Sequence, residues 1–354
     1  MPCGLFHSSY RKDDEIFKTW WVRGWLIGLL AFLVALPTFA PGISQILNTN
    51  VTNLCIIIMI YIIGAHGLNI LTGFTGQISL GHGAFMGVGA YTAGILAARL
   101  HVPFFVALPA AGLMTAAVGM VFGIPSLRLK GLYLAIATMA AQFILDYAMR
   151  NWTSLTGGSA GLNVPYAAIG SFEFNTDERF YYLVLVLVVL ATAFTKNLTR
   201  TRPGRAFVAI RDRYLAAEVI GVNLFKYRIM SFGISSFYVG IAGGLWGYYI
   251  TIISDEHFTI WLSVQFLAMV IIGGLGHVLG AIYGAIFMVL LPELLRIPSE
   301  ALSGTFPQMF VIFGTLQEGV FGLIIILFLI FEPDGLAARW HTIRNYWKLW
   351  PFSY

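Results

Sequence analysis

The sequence predicts an all-α protein, a bundle of about ten membrane-spanning helices, and three observations lead there. Of 354 residues, 58% are hydrophobic and only 10% charged, where an ordinary soluble domain carries about 25% charged residues. The apolar residues gather in runs close to the roughly 20 residues that an α-helix needs to cross the hydrocarbon core. Basic residues crowd some of the links between runs and acidic residues another, which is the asymmetry of the positive-inside rule. Helices are the default span because a backbone without water must bond all its polar groups internally. A β-barrel would show alternating segments of about ten residues, and the chain has no such pattern.

The candidate spans cover residues 22–42, 51–72, 78–98, 103–124, 131–149, 180–196, 229–253, 261–275, 277–297 and 307–331. The eighth is short, and its border with the ninth is indistinct. No stretch is polar enough for a separate soluble core. The expected organisation is a tail (1–21), one membrane domain (22–336) containing a long basic loop (196–228), and a second tail (337–354). Arg11, Lys12, Lys18 and Arg23 precede the first run, as in a signal peptide. That run is long for a signal core, however, and Pro41 follows it without a small-x-small cleavage site, so it reads as the first span. Cys3 and Cys55 are too isolated to form a disulfide framework. The net charge of +5 fits lysine and arginine placed on the cytoplasmic side and implies no nucleic-acid partner.

Orientation follows from the charged links. The 196–228 loop holds Arg200, Arg202, Arg205, Arg211, Arg213 and Lys226 against Asp212 and Glu218. This loop, the link with Arg128 and Lys130, and the tail with Arg339, Arg344 and Lys348 belong in the cytoplasm. The segment 150–179 carries Glu173, Asp177 and Glu178 and belongs outside. Ten spans with both termini cytoplasmic satisfy all of these placements together.

Gly119 and Gly123, Gly240 and Gly244, Gly243 and Gly247, and the series Gly276, Gly280, Gly284 repeat every fourth residue. Such spacing lines one helix face with small residues and lets helices approach closely. Asp146 lies four residues before Arg150, and Glu293 three before Arg296. A charge at the bilayer centre costs about 3 kcal/mol on insertion scales, so these are expected to pair locally. No relay of carboxylates crosses the spans, which argues against a proton-driven carrier.

The stretch Thr72-Gly73-Phe74-Thr75-Gly76-Gln77-Ile78-Ser79-Leu80-Gly81-His82-Gly83 stands apart. Its glycines each weaken a helix by about 1 kcal/mol relative to alanine. Gln77, Ser79 and His82 are polar groups near membrane depth. Irregular polar backbone is tolerated there only inside protein or against a water-filled cavity, and transporters line substrate routes with such broken helices. A translocation path bordered by Gly73, Gly76, Gln77, Ser79, Gly81, His82 and Gly83 is one reading; an ordinary turn before a packed helix is the other. Gly81-His82-Gly83 is not a dinucleotide fingerprint, because Met86 replaces the third glycine and no strand precedes it. No Gly-Lys pair exists for a Walker A loop, and no HExxH motif occurs. His66, His82, His257 and His277 are scattered without ligand spacing. No catalytic, cofactor or metal residues are assigned.

Residues 206–220 are compatible with a cytosolic helix, with Phe207, Ile210 and Tyr214 on one face and Gly221 as its stop. Within it, Ala216-Ala217-x-x-x-Gly221 resembles the core of the coupling loop in ABC importer permeases; Leu215 stands where the glutamate of that motif usually is. The Thr72–Tyr91 run, Asn151-Trp152-Thr153-Ser154-Leu155-Thr156-Gly157-Gly158, the loop from Ala209 to Asn223, Gly273-Gly274-Leu275-Gly276 and Glu332-Pro333-Asp334-Gly335-Leu336 together resemble the branched-chain amino acid permease family, LivM type.

The resemblance implies a type II-like importer permease paired with a related LivH-type permease in the bacterial inner membrane. It implies two ATPase subunits docked on the coupling loop, through Arg211, Asp212, Ala216, Ala217, Glu218 and Gly221. It further implies a periplasmic binding protein delivering leucine, isoleucine or valine, with Asn151, Trp152, Thr156, Gly157 and Gly158 as candidate contacts. The chain would be a transport subunit and not an enzyme, with no cofactor of its own. Urea or short amides remain alternative cargoes, and a stand-alone channel or secondary carrier is the rival of a different class. If Ala217 touches the ATPase, Ala217→Arg should abolish transport without unfolding the chain.

Overall fold

The computed structural model describes residues 20–47, 49–129, 131–170, 172–303, 319–320, 322–328, 330–332 and 334–349. Most of the expected N-terminal tail, with Cys3, and also Lys130, Pro333 and much of the expected 307–331 span, lie outside the described residues.

The long helices are α1 (Trp20–Leu47), α2 (Val51–Leu68), α3 (His82–Leu100), α4 (Phe104–Gly123), α5 (Leu132–Asn151), α6 (Asp177–Leu198), α7 (Arg202–Val219), α8 (Leu224–Ile250), α9 (Ile260–Gly273), α10 (Val278–Ser303) and α11 (Gly335–Leu349). Among the described residues, eight helical stretches are long and apolar enough to cross a membrane, and they coincide with the first eight expected spans. The ninth corresponds to α10, which is apolar over Val278–Leu294. The expected tenth is described only at its end, where residues 322–328 are helical.

Several boundaries move for local reasons. Helix α8 begins at Leu224 because the Asn223 side chain accepts the Lys226 N–H at 3.0 Å, capping the first turn. Helix α6 begins at Asp177, so Asp177 and Glu178 sit in its first turn, where the helix dipole favours them. Helix α3 begins at His82, because the chain before it is not helical.

Helix α8 is the centre of the bundle and packs against α2, α3 and α4. Glycine makes this possible at the α3–α8 crossing. A Cβ on Gly243 would fall on the Met86 carbonyl, and one on Gly89 would strike the Gly240 backbone. The expected four-residue glycine spacing is therefore used for backbone-to-backbone packing. Helices α9 and α10 form a hairpin closed the same way, with Gly273 against the Gly280 backbone and Gly284 against the Met269 carbonyl. Large apolar side chains point outward from α4, α5 and α6, among them Phe105, Leu113, Phe143, Ile144, Val186 and Leu190. Lipid is the solvent such faces require.

At one end of the bundle the links are short or structured. Strand β1 (Leu162–Asn163) pairs antiparallel with β4 (Ile252–Ile253), and β2 (Ala168–Ile169) pairs with β3 (Phe172–Glu173). Arg150 reaches Asp255 at 2.7 Å and Asp146 at 3.9 Å, while Glu293 lies 3.1 Å from Arg296. The local pairing expected for Asp146 and Glu293 is thus present, and Asp255 joins the first pair.

Substitution of Gly243 by Val is expected to lower the detergent melting temperature, since forcing extra bulk into a packed site typically costs about 1–3 kcal/mol. Gly28→Val, at a position where a Cβ meets nothing within 4 Å, should leave the melting curve unchanged. Equal curves for the two variants would contradict the crossing described above.

Candidate functional site

Helix α2 does not end cleanly. It runs into a π-helical turn, Asn69–Phe74, and the chain then passes non-helically through Thr75 to Gly81 before α3 starts. Gly76 takes φ +73°, a left-handed turn that suits a residue without Cβ. The amides of Gly76 and Gln77 return to the carbonyls of Thr72 and Leu71, each at 3.1 Å. Two side chains bond further carbonyls: Thr75 Oγ1 donates to Ile70 and Thr72 Oγ1 to Gln77, each at 3.0 Å.

The break is buried. Gly73, Ser79, Gly81, His82 and Gly83 are all inside, and Gln77 is 6% exposed; of the seven expected path residues only Gly76 is exposed. In this structure they therefore meet protein. The His82 ring lies between two hydroxyls, with Nδ1 3.0 Å from Ser79 Oγ and Nε2 2.8 Å from Ser235 Oγ. Gln77 Nε2 donates to Ser231 Oγ at 2.8 Å. Ser231 and Ser235 are four residues apart and share one face of α8.

The first amides of α3 have no partners within their own helix, and other helices supply them. Ser263 Oγ on α9 accepts the Gly83 N–H at 2.7 Å, and Gln142 Oε1 on α5 accepts that of Ala84 at 2.7 Å. Ser263 Oγ also donates to Gln142 Oε1 at 2.9 Å, and Gln142 Nε2 donates to the Phe258 carbonyl at 2.7 Å. Thr138 Oγ1 accepts the Leu80 N–H at 2.9 Å. Asn69 reaches the α9–α10 corner: its Nδ2 donates to the His277 carbonyl and its Oδ1 accepts the Gly276 N–H, both at 2.9 Å. Arg211 on α7 donates from Nη1 to the Gly73 carbonyl at 2.9 Å.

The helix expected over residues 206–220 is present but kinked. Arg213 has φ −153° and ψ 91°, so α7 is two helices meeting at that residue. In the first half Gly204, Ala206, Phe207 and Ile210 are buried, and the Phe207 ring meets Tyr227 edge-on at 6.2 Å. The second half is exposed at Leu215 (63%), Val219 (87%) and Ile220 (76%), and Ala216 and Glu218 are exposed too. Gly221, at φ +89°, ends the element as expected. Two residues of the expected contact set have partners within the chain. Ala217 is only 1% exposed, so it packs inward, and an arginine there would disturb the fold. Arg211 turns toward the break, held by Asp212 Oδ1 at 3.0 Å from its Nε.

On the opposite end, Asn151 and Trp152 are exposed, Gly157 is half-buried, and Thr156 and Gly158 are buried. Thr156 Oγ1 donates to the Trp152 carbonyl at 2.9 Å and accepts the Gly158 N–H at 3.1 Å. Those two residues shape the turn and leave Asn151 and Trp152 as its accessible face. Gly157-Gly158-Ser159-Ala160-Gly161 fits G-x-S-x-G spacing. A nucleophile elbow needs a strand before it and a helix after it; here a four-residue helix precedes, and the two-residue β1 follows.

Sequence reasoning passed over Asn69, Thr138, Gln142, Ser231, Ser235 and Ser263. Each is a polar residue inside a hydrophobic run, and that was the available signal. Nothing in the sequence said that all six converge on one break.

A family model described as the branched-chain amino acid transport system permease component matches residues 50–329. The chain is 32% identical to the high-affinity branched-chain amino acid transport system permease protein LivM of Escherichia coli K12, over 86% of this chain and 74% of that protein. It is 30% identical to the probable LivM permease of Methanocaldococcus jannaschii, over 63% of this chain and 64% of that protein. It is 25% identical to the probable LivH permease of the same organism, over 79% of this chain and 90% of that protein. No solved structure matches the chain.

Replacing Gln142 by Leu keeps the approximate volume and strands the Ala84 N–H and the Phe258 carbonyl. Each buried polar group left unpaired costs about 1–3 kcal/mol. The variant is expected to unfold at clearly lower temperature in detergent, and an unchanged midpoint would show that the network adds nothing to stability.

Proposed function

This chain belongs to the branched-chain amino acid transport permease family, and we propose that it is one permease subunit of an ATP-driven importer in the bacterial inner membrane. Its cargo is leucine, isoleucine and valine. The relatives' names support that cargo over urea or an amide. It resembles relatives of both the LivM and the LivH type, which supports pairing with a second, related permease. ATP is hydrolysed by two partner subunits and not by this chain.

The observation that carries the reading is the projecting half of α7. An isolated exposed leucine is ordinary, but contiguous exposed apolar residues mark an interaction surface. Leu215, Val219 and Ile220 lie together, beyond the kink, in the most basic loop of the chain. We assign this segment to the cytoplasm and to an ATPase groove. Closure of the ATPases then displaces α7 as a body. The break at Gly73–Gly83 is the adjoining irregular element, and its movement changes access through the permease pair. At the outer end, Asn151 and Trp152 are the residues we assign to the periplasmic binding protein.

The test uses the tagged chain purified in mild detergent from cells expressing its neighbouring genes. The wild type should bring down two ATPases and a second permease. Val219→Asp combined with Ile220→Asp should lose the ATPases, keep the second permease and abolish leucine uptake. A wild-type chain that purifies alone, or a double variant with full uptake, would sink the proposal.

A further inference from the structure

The coupling element raises a mechanical question. Its projecting half is separated from the membrane domain by the kink at Arg213, and a kink dissipates motion unless something fastens the helix on its inner side. Arg211 lies two residues before the kink. Its Nη1 donates to the Gly73 carbonyl at 2.9 Å, in the π-helical turn of the break. Asp212 aims the guanidinium by accepting from Nε at 3.0 Å.

On its inner side the arginine approaches two glycines closely. A Cβ on Gly76 would sit 3.0 Å from Arg211 Cγ, so the arginine stem covers the exposed glycine of the break. A Cβ on Gly276 would sit 2.7 Å from Arg211 Nη1 and 3.0 Å from the Gly73 carbonyl. Gly276 is itself held by Asn69, which accepts its N–H at 2.9 Å and donates to the neighbouring His277 carbonyl at 2.9 Å. One guanidinium thus meets three segments: the cytosolic helix, the broken end of α2, and the corner joining α9 to α10.

We propose that Arg211 is the positioning residue that fastens the cytosolic helix to the broken helix, so that displacement of α7 is delivered to the break and to the Gly274–His277 corner. The inference rests on the importer reading above. Arg211 is not needed to seat α7, because buried Phe207 and Ile210 and the Thr201 cap hold its first half. Its removal therefore uncouples the helix from the break without detaching the helix. Lysine in its place keeps the charge but offers a point donor on a flexible stem in place of a planar fork.

The experiment reconstitutes the complete complex in liposomes and measures ATP hydrolysis and leucine uptake on the same sample. Arg211→Ala is expected to retain assembly and hydrolysis while leucine carried per ATP falls about tenfold, the equivalent of one lost hydrogen bond from a charged donor. Arg211→Lys should fall between the two. A ratio of uptake to hydrolysis equal to that of the wild type in Arg211→Ala overturns the proposal. If Arg211→Ala does not assemble, the same ratio is read on Arg211→Lys, and a wild-type value there overturns it equally. Failure of the importer reading itself shows separately, as a wild-type chain that assembles with no ATPase.

Discussion

The whole arrangement depends on one constraint: inside a membrane, a broken helix must find protein partners for the backbone groups that it frees. Unpaired buried amides and carbonyls cost several kcal/mol each in hydrocarbon. The break between α2 and α3 frees several at once. Ser263, Gln142, Thr138 and Arg211 bond its backbone, while Ser231 and Ser235 bond its side chains. Those residues come from α5, α7, α8 and α9. One local interruption therefore determines where polar residues stand in four other helices.

The same constraint explains why the break connects distant parts. A continuous helix would keep its hydrogen bonds to itself and touch neighbours only through side-chain packing. The interrupted chain instead binds α7 through Gly73 and the α9–α10 corner through Asn69. Polar bonds of this kind are directional, unlike packing against lipid-like side chains. They fix α7 and the α9–α10 corner against the break at defined points.

Around that polar centre, packing relies on small residues. Gly243 against Met86 and Gly89 against Gly240 bring α3 and α8 into backbone contact. Close approach lets serine hydroxyls on α8 reach Gln77 and His82 on the adjoining break. The glycine face and the polar network are in this sense one design. Larger side chains at the crossing would hold the helices too far apart for bonds of about 3 Å.

Much of the molecule was legible in the sequence. Apolar runs of bilayer length, charged links and four-residue glycine spacing located the spans, because bilayer thickness and backbone hydrogen bonding leave few alternatives. The Gly-rich stretch from Thr72 to Gly83 announced an interruption, and the segment ending at Gly221 announced a helix and its stop. Tertiary structure decided which way those residues face. Ala217 turns inward, Leu215, Val219 and Ile220 turn outward, and Arg211, still partly exposed, reaches back to the Gly73 carbonyl from the other side of the kink at Arg213. The reason is that helix periodicity relates positions within one element, whereas the direction of a face depends on what packs against it. Gln142, Ser263 and Ser235 were isolated polar residues in three separate runs until folding brought them to the same break.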